Sequence, residues 1–158
     1  MKRQAQVRRE TAETKVELSL CMEGGECAVD TGIGFLDHML ELFCRHGGFG
    51  LTVSCRGDRK VDDHHSAEDV GICLGQAFAR AAGDCRGIAR YAHILLPMDE
   101  ALILCAVDVS GRGWLSYEVK VPTEKVGGFD TELVEEFWRA FVRHFPATVH
   151  LRMLAGEN

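Results

Sequence analysis

The sequence predicts an α/β fold of two layers, an α+β arrangement built from two similar halves of one compact domain. Stretches in which polar and apolar residues alternate, as in half-buried strands, are separated by stretches with the apolar spacing of amphipathic helices. The order of these patterns is strands, helix, strand and helix, and it begins again in the second half. The 158 residues match the length of a single domain.

In the first half, three strands and two helices are predicted. The strands cover Thr14–Leu20, Cys27–Val29 and Leu51–Cys55, and the helices run from about Phe35 to His46 and from about Ser66 to Ala82. The basic stretch over residues 1–9 is expected to be a frayed arm or an edge strand. Paired glycines mark a turn before the second strand and the end of the first helix.

In the second half, strands are predicted over Ala101–Val109, Trp114–Val121 and Thr148–Leu151. A helix is predicted between the last two of these strands, from an N-cap at Asp130 to His144. The two halves thus contain the same kinds of element in the same order.

An internal repeat supports this division. Residues 35–45 line up with residues 129–139, which pairs Phe35 with Phe129 and Arg45 with Arg139. A looser match joins the turn at residues 11–14 to the one at 98–101. The predicted half-repeats are residues 1–88 and 89–158. A chance likeness between two amphipathic helices is the alternative to a true repeat.

Composition excludes several classes of protein. Apolar residues make up 46% of the chain, and the net charge of −6 argues against binding to nucleic acid or a membrane surface. The seven cysteines are scattered and never in C-x-x-C spacing, which indicates free thiols in a reducing compartment. The chain shows no signal-like or membrane-spanning apolar run, so a cytoplasmic location is expected.

The polar stretch before the second helix is the strongest candidate site. His64, His65 and Glu68 combine two imidazoles with a carboxylate at a helix start. On a helix, His65 and Glu68 share a face and could hold one cation, while His64 could reach a second. Imidazole with carboxylate suits zinc, manganese or iron. The alternative is a polar helix start with two solvated histidines.

Five motifs together resemble imidazoleglycerol-phosphate dehydratase, an enzyme of histidine biosynthesis. They are Gly34–Leu40, Asp62–Asp69, Pro97–Leu102, Asp108–Arg112 and Leu154–Asn158. The resemblance implies duplicated half-domains like domain 2 of ribosomal protein S5, forming two four-stranded sheets backed by helices. It also implies trimers that build a 24-subunit shell, with two manganese ions per active site bound at subunit contacts.

Site residues are carried over from this resemblance by position. The implied metal ligands are His38, His64, His65, Glu68 and His150. The implied catalytic residues are Glu13, His65 and Glu68, with Glu13 as the acid–base carboxylate. The implied substrate-binding residues are these three with His38, His64, Arg90 and Arg112. The two arginines match positions that face the substrate's phosphate, where a planar donor fork suits phosphate oxygens. Without the resemblance, Glu13 and both arginines would be ordinary surface charges.

The implied reaction removes water from the glycerol chain of the substrate. Metal coordination would ease deprotonation of the substrate's imidazole, which then expels the neighbouring hydroxyl group. Glu13 would take the adjacent carbon-bound proton. Two other classes stay open at this point: a different dinuclear metal hydrolase and a non-catalytic binding module.

The family pattern continues past Asn158 with a second His-His-x-x-Glu, a helix and a lysine-bearing tail. The second half is therefore expected to lack its last helix. A chain ending at Asn158 is expected to be an inactive truncated form that binds manganese weakly and stops at a small oligomer, most simply a trimer. The alternative is that further residues exist and are mobile.

Overall fold

The computed structural model describes residues 2–58 and 60–157. The elements of the first half are β1 Gln4–Glu10, β2 Thr14–Cys21, β3 Cys27–Asp30, α1 Gly34–Gly47, β4 Gly50–Gly57 and α2 His64–Ala82. Those of the second half are β5 Tyr91–Met98, β6 Ala101–Asp108, β7 Trp114–Glu118, β8 Lys125–Val126, β9 Phe129–Asp130, α3 Leu133–His144 and β10 Thr148–Ala155. None of the helices in these ranges is long and apolar enough to cross a membrane.

The two four-stranded sheets have the same topology. Their strand orders are β1-β2-β4-β3 and β5-β6-β10-β7. In each sheet the last pair of strands, β3 with β4 and β7 with β10, is parallel, and the other pairs are antiparallel. Thr14 begins β2 and Ala101 begins β6, so the looser turn match places equivalent strands together. The predicted α/β fold, with two four-stranded sheets backed by helices, is confirmed.

The helix alignment within the repeat is wrong in detail. Phe35 lies in α1, whereas its sequence match Phe129 lies in β9, before α3 begins. The buried stripe of α1 consists of Leu36, Leu40 and Cys44, and that of α3 includes Leu133, Phe137 and Phe141. The halves therefore repeat in topology, while their helices correspond in a different register. The rings of Phe35 and Phe129 instead contact each other, with centroids 5.0 Å apart.

Two helix starts differ from their predictions for local reasons. Asp130 is not the N-cap of α3, because it lies in the β8–β9 hairpin with its Oδ1 atom 3.0 Å from the Lys125 Nζ atom. Helix α2 begins at His64, two residues before the predicted Ser66. The Asp62 Oδ1 atom accepts the backbone N–H of His64 at 2.9 Å, while Ser66 is buried inside the first turn.

The core begins between the first sheet and its helices and continues between α2 and α3. Val16, Leu51 and Val70 are fully buried there. Two glycines on α2 allow its backbone to approach α3 closely. A Cβ atom on Gly71 would lie 2.7 Å from the Phe137 carbonyl oxygen, and one on Gly75 would lie 2.5 Å from that of Phe141. The helix that begins with the histidine pair is therefore held on both sides.

Candidate active site

The first turn of α2 carries His64, His65 and Glu68. The His64 Nε2 atom lies 3.9 Å from the Glu68 Oε2 atom, one helical turn away. The helical spacing in the sequence predicted a pairing of Glu68 with His65 instead. The two imidazole rings have centroids 6.3 Å apart and are nearly perpendicular, at 85°. The two histidines thus face different directions, as expected for adjacent helical residues.

His65 faces a carboxylate that sequence reasoning missed. Its Nδ1 atom lies 3.2 Å from each oxygen of Asp58, in the loop that follows β4. This hydrogen bond raises the pKa of His65 above its usual value, and the negative charges of Glu13 and Asp62 act in the same direction. Glu13 is therefore close enough to His65 to influence it electrostatically. The carboxylate of Asp58 leaves the opposite ring nitrogen for other partners.

The turn that carries Glu13 is fastened to α2. The Thr11 hydroxyl oxygen accepts the backbone N–H groups of Glu13 at 3.2 Å and of Thr14 at 3.0 Å. The buried carboxylate of Asp69 on α2 then accepts the Arg9 Nε–H group at 2.8 Å and the hydroxyl of Thr14. Because Asp69 lies on α2 directly after Glu68, its hydrogen bonds to Arg9 and Thr14 join the β1–β2 turn to the histidine-bearing helix.

Of the two predicted phosphate-binding arginines, Arg90 binds the carboxylate of Asp108, and Arg112 affects that carboxylate only electrostatically. Arg90 donates from Nε to Asp108 Oδ1 at 2.8 Å and from Nη2 to Oδ2 at 3.2 Å. These bonds to Arg90 lower the pKa of the Asp108 carboxyl, and the charge of Arg112 adds a smaller effect. The Ser110 hydroxyl accepts the backbone N–H of Arg112 at 3.3 Å. Both guanidinium groups are exposed and lie near the same strand end.

His38 and His150 lie outside the His64–His65 cluster. His38 is exposed on α1, one residue after Asp37, whose carboxylate accepts the backbone N–H of Thr31 at 2.7 Å. His150 is exposed on β10, where it pairs with Ala106 of β6 and Ser116 of β7. Among the residues that the structure describes, no three His, Cys, Asp or Glu side chains converge to hold a metal ion. The donors fit a divalent cation in kind, since imidazole nitrogen and carboxylate oxygen suit manganese or zinc.

A family match decides between the classes left open by the sequence. Residues 31–158 match the model of the imidazoleglycerol-phosphate dehydratase family. The chain belongs to that family. The dehydratase resemblance of the motifs is thus confirmed, and the histidine cluster with its neighbouring carboxylates is the candidate site of a dehydratase.

Individual dehydratases match along almost the whole chain. The imidazoleglycerol-phosphate dehydratase of Desulforudis audaxviator is 54% identical over 157 residues, which cover 99% of this chain and 80% of that protein. The one from Caldicellulosiruptor saccharolyticus is 52% identical over 155 residues, covering 98% of this chain and 80% of that protein.

Solved dehydratase structures share the fold. The crystal structure of the enzyme from Staphylococcus aureus superposes with a TM-score of 0.89 at 40% identity, covering 98% of this chain and 86% of that one. The Pyrococcus furiosus structure gives a TM-score of 0.80 at 32% identity, covering 96% of this chain and 81% of that one. The duplicated two-sheet architecture is therefore that of the dehydratase family.

Proposed function

We propose that this chain eliminates water from D-erythro-imidazole glycerol phosphate to give imidazole acetol phosphate, in L-histidine biosynthesis. The observation that carries the proposal is the family match over residues 31–158, and the electrostatic influence of Glu13 on His65 agrees with it. The name of the family supplies the substrate. The chain supplies acid–base, metal-ligating and phosphate-binding side chains of the types that this reaction requires.

The proposed cofactor is a pair of manganese ions at contacts between subunits. The proposed ligands are His38, His64, His65, Glu68 and His150. Two divalent cations bound there would stabilise negative charge on the substrate's imidazole and so lower the cost of its deprotonation. The single chain supports a shared site, because His38 and His150 are exposed and separate from the cluster. In a shared site these two residues would serve a neighbouring subunit's cluster.

Glu13 is the proposed acid–base residue. Its carboxylate is exposed on the β1–β2 turn, while its backbone is held by the Thr11 hydroxyl. The network through Asp69 joins this turn to α2, and Glu13 lies within electrostatic range of His65. A positioned carboxylate of this kind can take the carbon-bound proton next to the departing hydroxyl group.

Arg90 and Arg112 are proposed to bind the phosphate. Asp108 engages Nε and Nη2 of Arg90 and thereby orients its planar guanidinium group. The Nη1 group of Arg90 is left for a phosphate oxygen, and Arg112 brings a second donor fork to the same strand end. Fixing the phosphate end would orient the glycerol chain before reaction.

Assembly and location complete the proposal. A shell of 24 subunits built from trimers is proposed from the family resemblance, and a trimer is the proposed smaller form. Cytoplasmic location is proposed from the cysteine usage, since all seven cysteines are free thiols in the structure. These statements stay predictions. Measuring the size of the oligomer in solution with and without manganese tests the proposed assembly.

The proposal is tested by replacing one ligand in the protein made from its intact gene. His65→Ala should lose bound manganese and almost all turnover of imidazole glycerol phosphate. His46→Ala is the matched control, because His46 is exposed in the last turn of α1 and lies outside the cluster. Full manganese content and normal turnover in His65→Ala would exclude the proposed site.

A further inference from the structure

Asp58 stands against His65, although none of the roles proposed above belongs to it. Both of its carboxylate oxygens lie 3.2 Å from the Nδ1 atom of His65. The carboxylate is 29% exposed and the imidazole 43% exposed, so both groups are partly shielded from solvent. Asp58 therefore contacts the site through one ring nitrogen of one histidine.

The backbone around Asp58 explains why its carboxylate reaches His65. Gly57 ends β4 and pairs with Thr14 of β2, at the base of the turn that carries Glu13. A Cβ atom on Gly57 would collide with the hydroxyl of Ser66, the residue after His65. The strand end therefore approaches the first turn of α2 closely at Gly57, and Asp58 follows directly. Its carbonyl oxygen accepts the N–H of Val61 at 2.8 Å, which closes the loop.

A hydrogen bond at Nδ1 determines what the other nitrogen of an imidazole can do. An ionised carboxylate only accepts hydrogen bonds, so contact with Asp58 requires a proton on the Nδ1 atom of His65. In the neutral ring the lone pair then lies on Nε2, the form that binds a cation. Carboxylates that accept an N–H in this way fix both the tautomer and the ring orientation of metal-binding histidines.

We propose that Asp58 is a positioning residue of the dehydratase site, which holds His65 in its Nδ1–H tautomer and presents the Nε2 atom to a divalent cation. The proposal rests on the proposed function for the role of that cation. The contact itself is a property of the chain alone. Asp58 acts through His65 and needs no contact with the substrate.

The tautomer is tested without metal. Histidine labelled with ¹⁵N reports the protonated nitrogen by NMR, at a pH where His65 is neutral, and His65→Gln assigns the signal. In the unchanged protein the Nδ1–H form should dominate. Asp58→Ala should move His65 towards the Nε2–H form, and Asp58→Glu should restore the original form at least in part. Asp62→Asn is the control, because it removes a nearby charge while keeping an oxygen for the His64 N–H.

Manganese binding gives the second readout. Asp58→Ala should bind Mn²⁺ about 10–100-fold more weakly, as expected for loss of an orienting carboxylate, and Asp62→Asn should not. An unchanged His65 tautomer in Asp58→Ala overturns the proposal whatever the manganese result. If the unchanged protein binds no manganese, the proposed cofactor fails, while the metal-free tautomer comparison still decides the role of Asp58.

Discussion

The two sheets share a strand order and differ in how well they are covered. In the first sheet, Val16 and Leu51 are fully buried under α1 and α2. In the second sheet, α3 covers one end, and Ile94 and Leu96 on β5 remain 54% and 60% exposed. Among the described residues, the same strand order therefore accompanies a well-covered first sheet and a less covered second sheet. Strand order follows from connectivity, whereas burial depends on the helices packed against each sheet.

The residues with proposed roles are also distributed unequally between the two halves. The proposed acid–base residue Glu13 and four of the five proposed metal ligands lie in the first half, whereas the fifth ligand, His150, lies on β10 of the second sheet. The proposed phosphate-binding arginines lie on the exposed ends of the second sheet.

Identical leucine truncations in the two sheets should give the largest contrast. Leu51→Ala removes a side chain that is fully buried, and it should lower the free energy of unfolding by about 2–5 kcal/mol. Leu96→Ala removes one that is 60% exposed, and it should stay within about 0.5 kcal/mol of the unchanged protein. Chemical denaturation with urea measures both.

Equal losses in the two leucine variants would contradict the comparison. In that case Leu96 would be covered in solution, for instance by another copy of the chain. Repeating the denaturation at several protein concentrations tests whether another copy covers Leu96, since stabilisation by association depends on concentration.

Most of the fold was predictable because its signals are local. Alternation predicted β2 and β4, and helical spacing predicted α2. Strand β5 was missed, because a short apolar run such as Ile94, Leu95 and Leu96 does not by itself distinguish a strand from a helix. The N-cap of α3 was misplaced, because Asp130 belongs to a hairpin of two-residue strands, which is too short to leave a periodic pattern.

The candidate site was predictable only where its residues are neighbours in sequence. His64, His65 and Glu68 form one motif, whereas Asp58 and Asp69 act through tertiary contacts. Asp69 is joined to Arg9 across 60 positions, and no sequence pattern announces that pair. Glu13 was found by family resemblance alone, because an exposed glutamate on a turn has no distinguishing local signal.

The contact between α2 and α3 should be the next most sensitive feature. Gly75→Ala places a Cβ atom 2.5 Å from the backbone carbonyl oxygen of Phe141, which cannot rotate away. Overpacking should destabilise the protein by about 1–3 kcal/mol, partly offset by the gain of about 1 kcal/mol in helix propensity. Gly34→Ala on α1 is the control, since among the described residues no atom beyond its chain neighbours and its own helix backbone lies within 4 Å of the added methyl group.

Thermal unfolding of both glycine variants checks this expectation. A melting temperature for Gly75→Ala at or above that of Gly34→Ala would show that α2 and α3 are less closely packed than the structure indicates. It would also weaken the view that the histidine-bearing helix is held more firmly than the second sheet.

The smallest effect is expected from a comparison of two exposed ion pairs, one in each half. Arg56 lowers the pKa of Asp30 beside the first sheet, and Arg90 lowers that of Asp108 on the second. Because each folded-state pKa lies below its unfolded value of about 3.9, each pair stabilises the fold above that value. The stabilisation is lost as the pH falls through the folded-state pKa. Exposed pairs of this kind contribute little, so the shift itself is the better readout.

Each arginine should therefore control its own carboxyl group. Arg90→Ala should raise the pKa of Asp108 towards its ordinary value and leave that of Asp30 unchanged, and Arg56→Ala should do the reverse. NMR titration of the carboxyl carbons measures both in the same samples. Inorganic phosphate separates the halves further, because only the Arg90 variant should lose affinity for it if Arg90 and Arg112 form the phosphate site. If both variants bind phosphate equally well, Arg90 does not contribute to a phosphate site. The two ion pairs would then be similar surface contacts.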